Sequence, residues 1–277
     1  MIIDSHCHAG KGDGLTGPWD TNAPLDAYLQ RAKRAGIGKT VLFPAFHTDY
    51  SIANREVAGI VQRDPNRFYG FAFVHAVRDR GRVFRMVGTA VEKYGFRGIK
   101  VHRYDARISR EICDAARAFS LPVLYDAVGE VSIVELLAPE YPDVNFIFAH
   151  MGSFSDDWRA QTALIDPLVR FPNVYADTSG IRRFDILLDG VRRAGANKFL
   201  FGSDGPWLHP GLELAKVVAL ELSPRDFALV TAGNLLRLID RPQFSRRIVA
   251  PSASYNVDAP PPAQEEYRDP WASELIQ

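Results

Sequence analysis

The sequence has no excess charge of either sign: Lys and Arg together number 33, Asp and Glu also 33, and the formal net charge is zero. A surface that grips a phosphate backbone or an anionic lipid leaflet needs a basic excess, and no block of like charge supplies one locally. Nucleic acid is therefore not an expected partner. Cysteine is scarce as well. Cys7 and Cys113 cannot make a disulfide framework and read as reduced thiols, which points to the cytoplasm. No apolar run approaches the roughly 20 residues that span a bilayer. The first residues, Met1-Ile2-Ile3-Asp4, lack the basic and apolar regions of a secretory signal. No Gly-x-Gly-x-x-Gly follows an early strand, so the marker of a dinucleotide fold is missing too.

What is present is the composition of an ordinary globular protein, 47% hydrophobic and 24% charged over 277 residues, long enough to bury a large core. Short, nearly continuous apolar runs recur along it: 1–5, 40–44, 68–74, 98–101, 121–125, 144–149, 174–177 and 198–201. Such runs suit strands buried on both faces. Stretches of helical periodicity lie between them, among them 24–35, 80–94, 110–119 and 184–194, punctuated by Gly36, Gly38 and Gly195. Eight strand–helix alternations predict a (β/α)₈ TIM barrel over residues 1–240 rather than an open sheet. Residues 9–23 form a Gly-rich loop after the first strand, where barrel loops build active sites. Residues 241–277 carry six prolines and cannot be a barrel helix. This C-terminal tail is either disordered or an extended arm, and Tyr255, Tyr267, Trp271, Leu275 and Ile276 suit it to an arm laid on the surface or on the second subunit of a homodimer.

The chemistry concentrates at strand ends. His6 and His8 alternate onto one side of the first strand, where two imidazoles can share a metal ion with Asp4 as support. Lys100 and His102 close the fourth strand, Asp126 the fifth, His150 the sixth and Asp204 the eighth. Burying such groups unpaired is costly, and a shared ion relieves the cost; for Lys100 and His102 a satisfied structural role is the competing reading. Beyond the strand ends lie His47, His75, Arg103, Trp207 and His209. Arg103 could clamp a substrate carboxylate or make a surface salt bridge. Cys7 faces away from the two histidines and reads as packed.

The pieces IIDSHCH (2–8), GFRGIKVHR (95–103), LPVLYD (121–126), FIFAHMGS (146–153), NVYADTSG (173–180), FLFGSDGPW (199–207) and AGNLLRLI (232–239) together resemble the amidohydrolase superfamily. Within it they are similar to the amidohydrolase 2 branch, which includes aminocarboxymuconate-semialdehyde decarboxylase-like proteins and lactone hydrolases. The resemblance implies a divalent metal, with Zn²⁺ first and Mn²⁺ or Fe²⁺ as alternatives, held by His6, His8, Asp126 and Asp204. It implies that Asp204 handles the proton of an attacking water, and that His150 polarises a carbonyl or binds a second metal. One departure stands out: the branch usually ends its fifth strand in a histidine ligand, where Asp126 stands here. Asp126 either serves as an oxygen ligand or marks weakened metal binding. Lys100 matches the carboxylated lysine of some superfamily members; uncarboxylated, it would hold a substrate carboxylate or pair with Asp126.

Three functions follow as expectations. The first is a metal-dependent hydrolase of a small carboxylate, lactone or amide, with Lys100, His102, Arg103, His47, His75 and Trp207 around an acidic substrate. The second is a non-oxidative decarboxylase or hydratase on the same frame. The third is a catalytically reduced barrel that serves as a binding partner.

Overall fold

The structure, a computed structural model, describes residues 1–14 and 22–240. The Pro-rich arm expected over 241–277, the homodimer it suggested and the middle of the 9–23 loop lie outside the described residues. Strand β1 (Ile2–Lys11) is followed by a short β2 (Asn22–Ala23), then α1 (Leu25–Arg34), β3 (Ile37–Pro44), α2 (Tyr50–Arg63), β4 (Phe68–Gly70) and β5 (Ala72–Phe73). Next come α3 (Val83–Tyr94), β6 (Ile99–His102), α4 (Arg110–Ala118), β7 (Val123–Asp126) and α5 (Val134–Glu140). The last part adds β8 (Phe146–Phe148), α6 (Trp158–Arg170), β9 (Val174–Asp177), α7 (Phe184–Ala194), β10 (Phe199–Leu200), α8 (Pro210–Val218), α9 (Pro224–Ala228) and α10 (Asn234–Ile239). Among the described residues no helix is long and apolar enough to cross a membrane.

The strands form the expected eight-stranded parallel barrel. β1, β3 and β4 pair in one run, and β5 through β10 pair in another. β4 and β5 are one strand interrupted at Phe71, whose N–H still donates to Leu42 O at 2.9 Å. Closure comes from β1: Ser5 N–H donates to Phe201 O at 2.9 Å and His8 N–H to Gly205 O at 2.6 Å. Alternation then divides the core in two. Ile3, Val41, Phe43, Phe73, Leu124, Ile147, Tyr175 and Leu200 fill the barrel, capped from below by Leu235 and Leu238 of α10. Their neighbours Leu42, Val101, Val123, Tyr125, Phe148, Ala176 and Phe199 face the helices. Each fully buried large side chain is worth roughly 1.5–3 kcal/mol, so the two layers carry the fold.

β1 runs three residues past His8, where the strand was expected to end, and it is not regular. Asp4 pairs with Thr40 and Cys7 with Leu42, so three steps along β1 match two along β3. This β-bulge is what aims the site. With Ile3 inside the barrel, strict alternation would turn Cys7 inward. The extra residue resets the phase, so Cys7 joins the outer layer and His6 and His8 point in. Asp4 falls on the outer side, against Tyr28 and Thr40.

Candidate metal centre and active site

His6 and His8 are buried, and each has one ring nitrogen tied down. His6 Nδ1–H donates to Asp177 Oδ2 at 2.7 Å, and His8 Nδ1–H donates to the Pro44 carbonyl at 2.8 Å. Both Nε2 lone pairs are thereby left facing inward, the tautomer a metal ligand needs. His6 Nε2 lies 3.4 Å and His8 Nε2 3.8 Å from Asp204 Oδ1. These three ligand atoms form one of two groups, among the described residues, compact enough to hold an ion. His6 Nε2 is buried and has no hydrogen-bond partner, and burial together with Lys100 lowers its pKa to about 3. His8 is likewise held well below the ordinary range, by burial and then Lys100. Both imidazoles are neutral donors at neutral pH. Burial pushes the Asp204 carboxyl up to about 7, although His150 and Lys100 pull against it. An orphaned lone pair beside a carboxylate short of a counter-charge fits a divalent cation.

The second compact group, His6, His150 and Asp177, is already saturated. Asp177 accepts from His6 Nδ1, from His150 N–H at 3.0 Å, from Ser179 N–H at 3.0 Å and from the Ser179 hydroxyl at 2.6 Å. It orients the ring of His6 and fixes the backbone of His150. That backbone is strained: His150 and Asp204 both sit at φ 55°, a region side chains seldom occupy, and such outliers cluster at functional sites. Two glycines make room. A Cβ at Gly202 would lie 2.9 Å from His6 Cβ, and one at Gly180, where φ is +62°, would lie 2.5 Å from the Phe154 ring.

The other strand ends converge on the same mouth. Asp126 Oδ2 lies 3.1 Å from His102 Nε2 and 3.2 Å from His150 Nε2, and belongs to neither compact group. Burial raises the Asp126 carboxyl, but His102 and His150 outweigh it and hold it well below the usual range. His150 responds in kind: burial lowers it, yet Asp126 and then Asp204 carry it up to about 9. Lys100 is fully buried, its Nζ lacks a hydrogen-bond partner and stands 5.0 Å over the Phe43 ring. Burial lowers its pKa against the pull of Asp126, Asp177 and Asp204. Aromatic rings frame the opening. Trp207 packs on His8 at 4.5 Å, Phe46 on His102 at 4.8 Å, Tyr104 on His102 at 5.3 Å and Phe154 on His150 at 5.1 Å.

Several of the expected substrate contacts also make contacts within the protein. Arg103 Nε donates to Glu130 at 2.9 Å and is 41% exposed, so it makes the surface salt bridge. His47 Nδ1 accepts Asp49 N–H at 2.8 Å, and His75 Nδ1 accepts Val77 and Arg78 N–H at 3.1 Å each. His209 caps α8 through Gly211 N–H. Sequence reasoning passed over Asp177 and Ser179, although Asp177 ends an apolar strand as Asp126 does. Asp4, expected as support, accepts His6 N–H at 3.1 Å and Ser203 N–H at 2.9 Å and so ties β1 to the residue before Asp204.

An eight-stranded parallel barrel with paired first-strand histidines and an eighth-strand aspartate at its mouth has the layout of a TIM-barrel enzyme, whose active site lies at that face. The chain belongs to the amidohydrolase family, whose model matches residues 3–241. A comparison with curated proteins finds no match. Similar solved structures include 2,6-dihydroxybenzoate decarboxylase from Rhizobium, with TM-score 0.67 and 16% identity, covering 86% of this chain and 98% of that one. A dihydroxybenzoic acid decarboxylase from Polaromonas sp. JS666, with bound manganese and the inhibitor 2-nitroresorcinol, gives 0.65 and 18%, covering 86% and 96%. A putative 2-pyrone-4,6-dicarboxylic acid hydrolase from Pseudomonas putida gives 0.66 and 19%, covering 86% and 97%. At such identities the likeness speaks for the fold.

Proposed function

We propose that this protein is a metal-dependent hydrolase of a small acidic substrate, a carboxylate bearing a lactone or amide bond, with the ion held by His6, His8 and Asp204. The observation that carries this reading is the buried, unpartnered His6 Nε2, aimed at the space between His8 Nε2 and Asp204 Oδ1. A divalent ion bound there would polarise a carbonyl and lower the pKa of water to about 7. The mixed nitrogen and oxygen donor set suits Zn²⁺, and equally Mn²⁺ or Fe²⁺.

The protein's own groups supply the rest. Asp204, at about 7 before any cation binds, can take a proton from an attacking water and return it to the leaving group. Imidazolium character at His150 puts positive charge beside the position where an oxyanion would develop. Lys100 offsets the negative charge that Asp126, Asp177 and Asp204 bring to the barrel mouth. The rings of Trp207, Phe46, Tyr104 and Phe154 offer a planar substrate a wall to lie against and keep water from its faces.

A second reading, non-oxidative decarboxylation of a planar aromatic acid, is favoured by that aromatic frame. Protein loaded with Zn²⁺ or Mn²⁺ is to be screened against lactones, N-acyl amides and hydroxybenzoic acids, with both acid release and CO₂ followed. Hydrolysis predicts ring or amide opening without CO₂, abolished by chelation and in Asp204→Asn. Metal-dependent CO₂ release with intact lactones and amides would select the second reading.

A further inference from the structure

Asp126 stands where the branch resemblance places a histidine ligand, and both oxygens of its carboxylate are engaged. Oδ1 accepts Val128 N–H at 3.0 Å. Oδ2 sits between His102 Nε2 at 3.1 Å and His150 Nε2 at 3.2 Å, rings that come from the strand ends on either side of β7. The protons on those rings can be assigned. His102 Nδ1 accepts Tyr104 N–H at 3.1 Å, so the ring hydrogen of His102 is on Nε2 and points at Asp126. His150 Nδ1 faces the Ser179 carbonyl at 3.0 Å, an acceptor only, and so it carries a hydrogen. Its Nε2, facing an acceptor-only carboxylate, carries one too. Asp126 is thus a shared acceptor for two imidazole N–H groups.

We infer that Asp126 is not a metal ligand but a clip that fixes His102 and His150 against each other, leaving the ion to His6, His8 and Asp204 alone. Turning Asp126 onto an ion would strand two buried N–H donors, and a buried donor left without its acceptor carries its full desolvation penalty. A histidine at position 126 could not make this clip, because a neutral ring offers one acceptor at most. The departure from the branch pattern and the pairing of His102 with His150 are therefore one feature. The consequence is a two-histidine, one-carboxylate face with open positions, a donor set used by iron and manganese as well as zinc. His102 and His150, held rigidly at the rim, become positioning groups for the substrate.

The inference rests on the metal reading above, and two independent readouts keep the two apart. Zn²⁺ and Mn²⁺ affinities of full-length protein, measured by titration against a chromophoric chelator, are compared for wild type, Asp126→Asn, Asp126→Ala and His8→Ala. The expected result is one ion per chain, with both Asp126 variants within about tenfold of wild type and His8→Ala weaker by roughly a hundredfold or more. Nitrogen-15 NMR of histidine-labelled protein should show two exchange-protected Nε2–H signals that disappear in Asp126→Ala. If the Asp126 variants lose metal in step with His8→Ala, Asp126 is a ligand and the inference falls. If the protected signals persist without Asp126, the clip falls. If wild type binds neither ion while the signals behave as expected, the metal reading fails and the clip stands.

Discussion

Asp177 accepts four hydrogens, and the one from His6 Nδ1 decides what His6 can do. By holding that proton it turns the lone pair of Nε2 inward. Asp177→Asn offers an amide whose NH₂ group competes with the ring N–H, so the tautomer is no longer enforced. Metal affinity is expected to drop about 10–100-fold, measured by the same chelator competition, with far-UV circular dichroism unchanged. Affinity equal to wild type would remove Asp177 from the site. This residue was within reach of the sequence, since it closes the run Val174-Tyr175-Ala176-Asp177 as Asp126 closes its own. What separates the two is a partner 171 positions away, and no spacing rule reports that. His6, His8 and Asp204 were legible as strand-end residues at the barrel mouth, although the inward turn of the two histidines depends on the bulge in β1. Arg103 was not, because Glu130 decides where it turns.

The first strand shows what periodicity can and cannot deliver. Apolar runs and their spacing predicted the eight strands and their closure, because a strand buried on both faces leaves a compositional trace. A bulge leaves none, so regular alternation does not show that Asp4 lies on the outside against Tyr28 while it holds the His6 backbone N–H. The inward aim of His6 then depends on how closely β1 approaches the segment after β10. Gly202 sets that distance, with a Cβ there 2.9 Å from His6 Cβ and 3.3 Å from both Asp177 Cγ and Ser5 Oγ. His6 Cβ is fixed to the backbone, and Ser5 Oγ is held by its hydrogen bond to Phe201 O at 2.8 Å. Gly202→Ala should therefore push β1 outward, costing about 1–3 kcal/mol in denaturant unfolding, and weaken metal binding although no ligand is changed. A variant with wild-type stability and affinity would show that the junction is slack.

For the molecule as a whole, the buried charges make stability depend on pH in a way that metal should reshape. In metal-free protein His150 is raised to about 9 from 6.5, so its contribution is complete below about pH 6.5 and is lost as the pH rises through 9. Asp204, raised to about 7 from 3.8, keeps a proton in the fold that the unfolded chain has released, so stability also falls between those values. His6, lowered to about 3, works the other way: the fold loses stability as the pH drops from 6.5 towards 3, when only the unfolded chain takes up the proton. Asp126, lowered by its two histidines, likewise contributes above the ordinary carboxylate range and loses that on acidification. Below pH 6.5 these groups oppose one another. Above it His150 and the last of Asp204 act together, so metal-free protein should lose on the order of a few kcal/mol between pH 6.5 and 9. An ion needs Asp204 ionised and both histidines neutral, which makes its stabilisation grow as protons leave. The gap in Tm between loaded and stripped protein should accordingly widen from pH 6 to pH 9, in scanning calorimetry at fixed free metal. A stripped protein whose Tm is flat or rising over that span would mean that the His102–Asp126–His150 cluster does not carry the charge assigned to it.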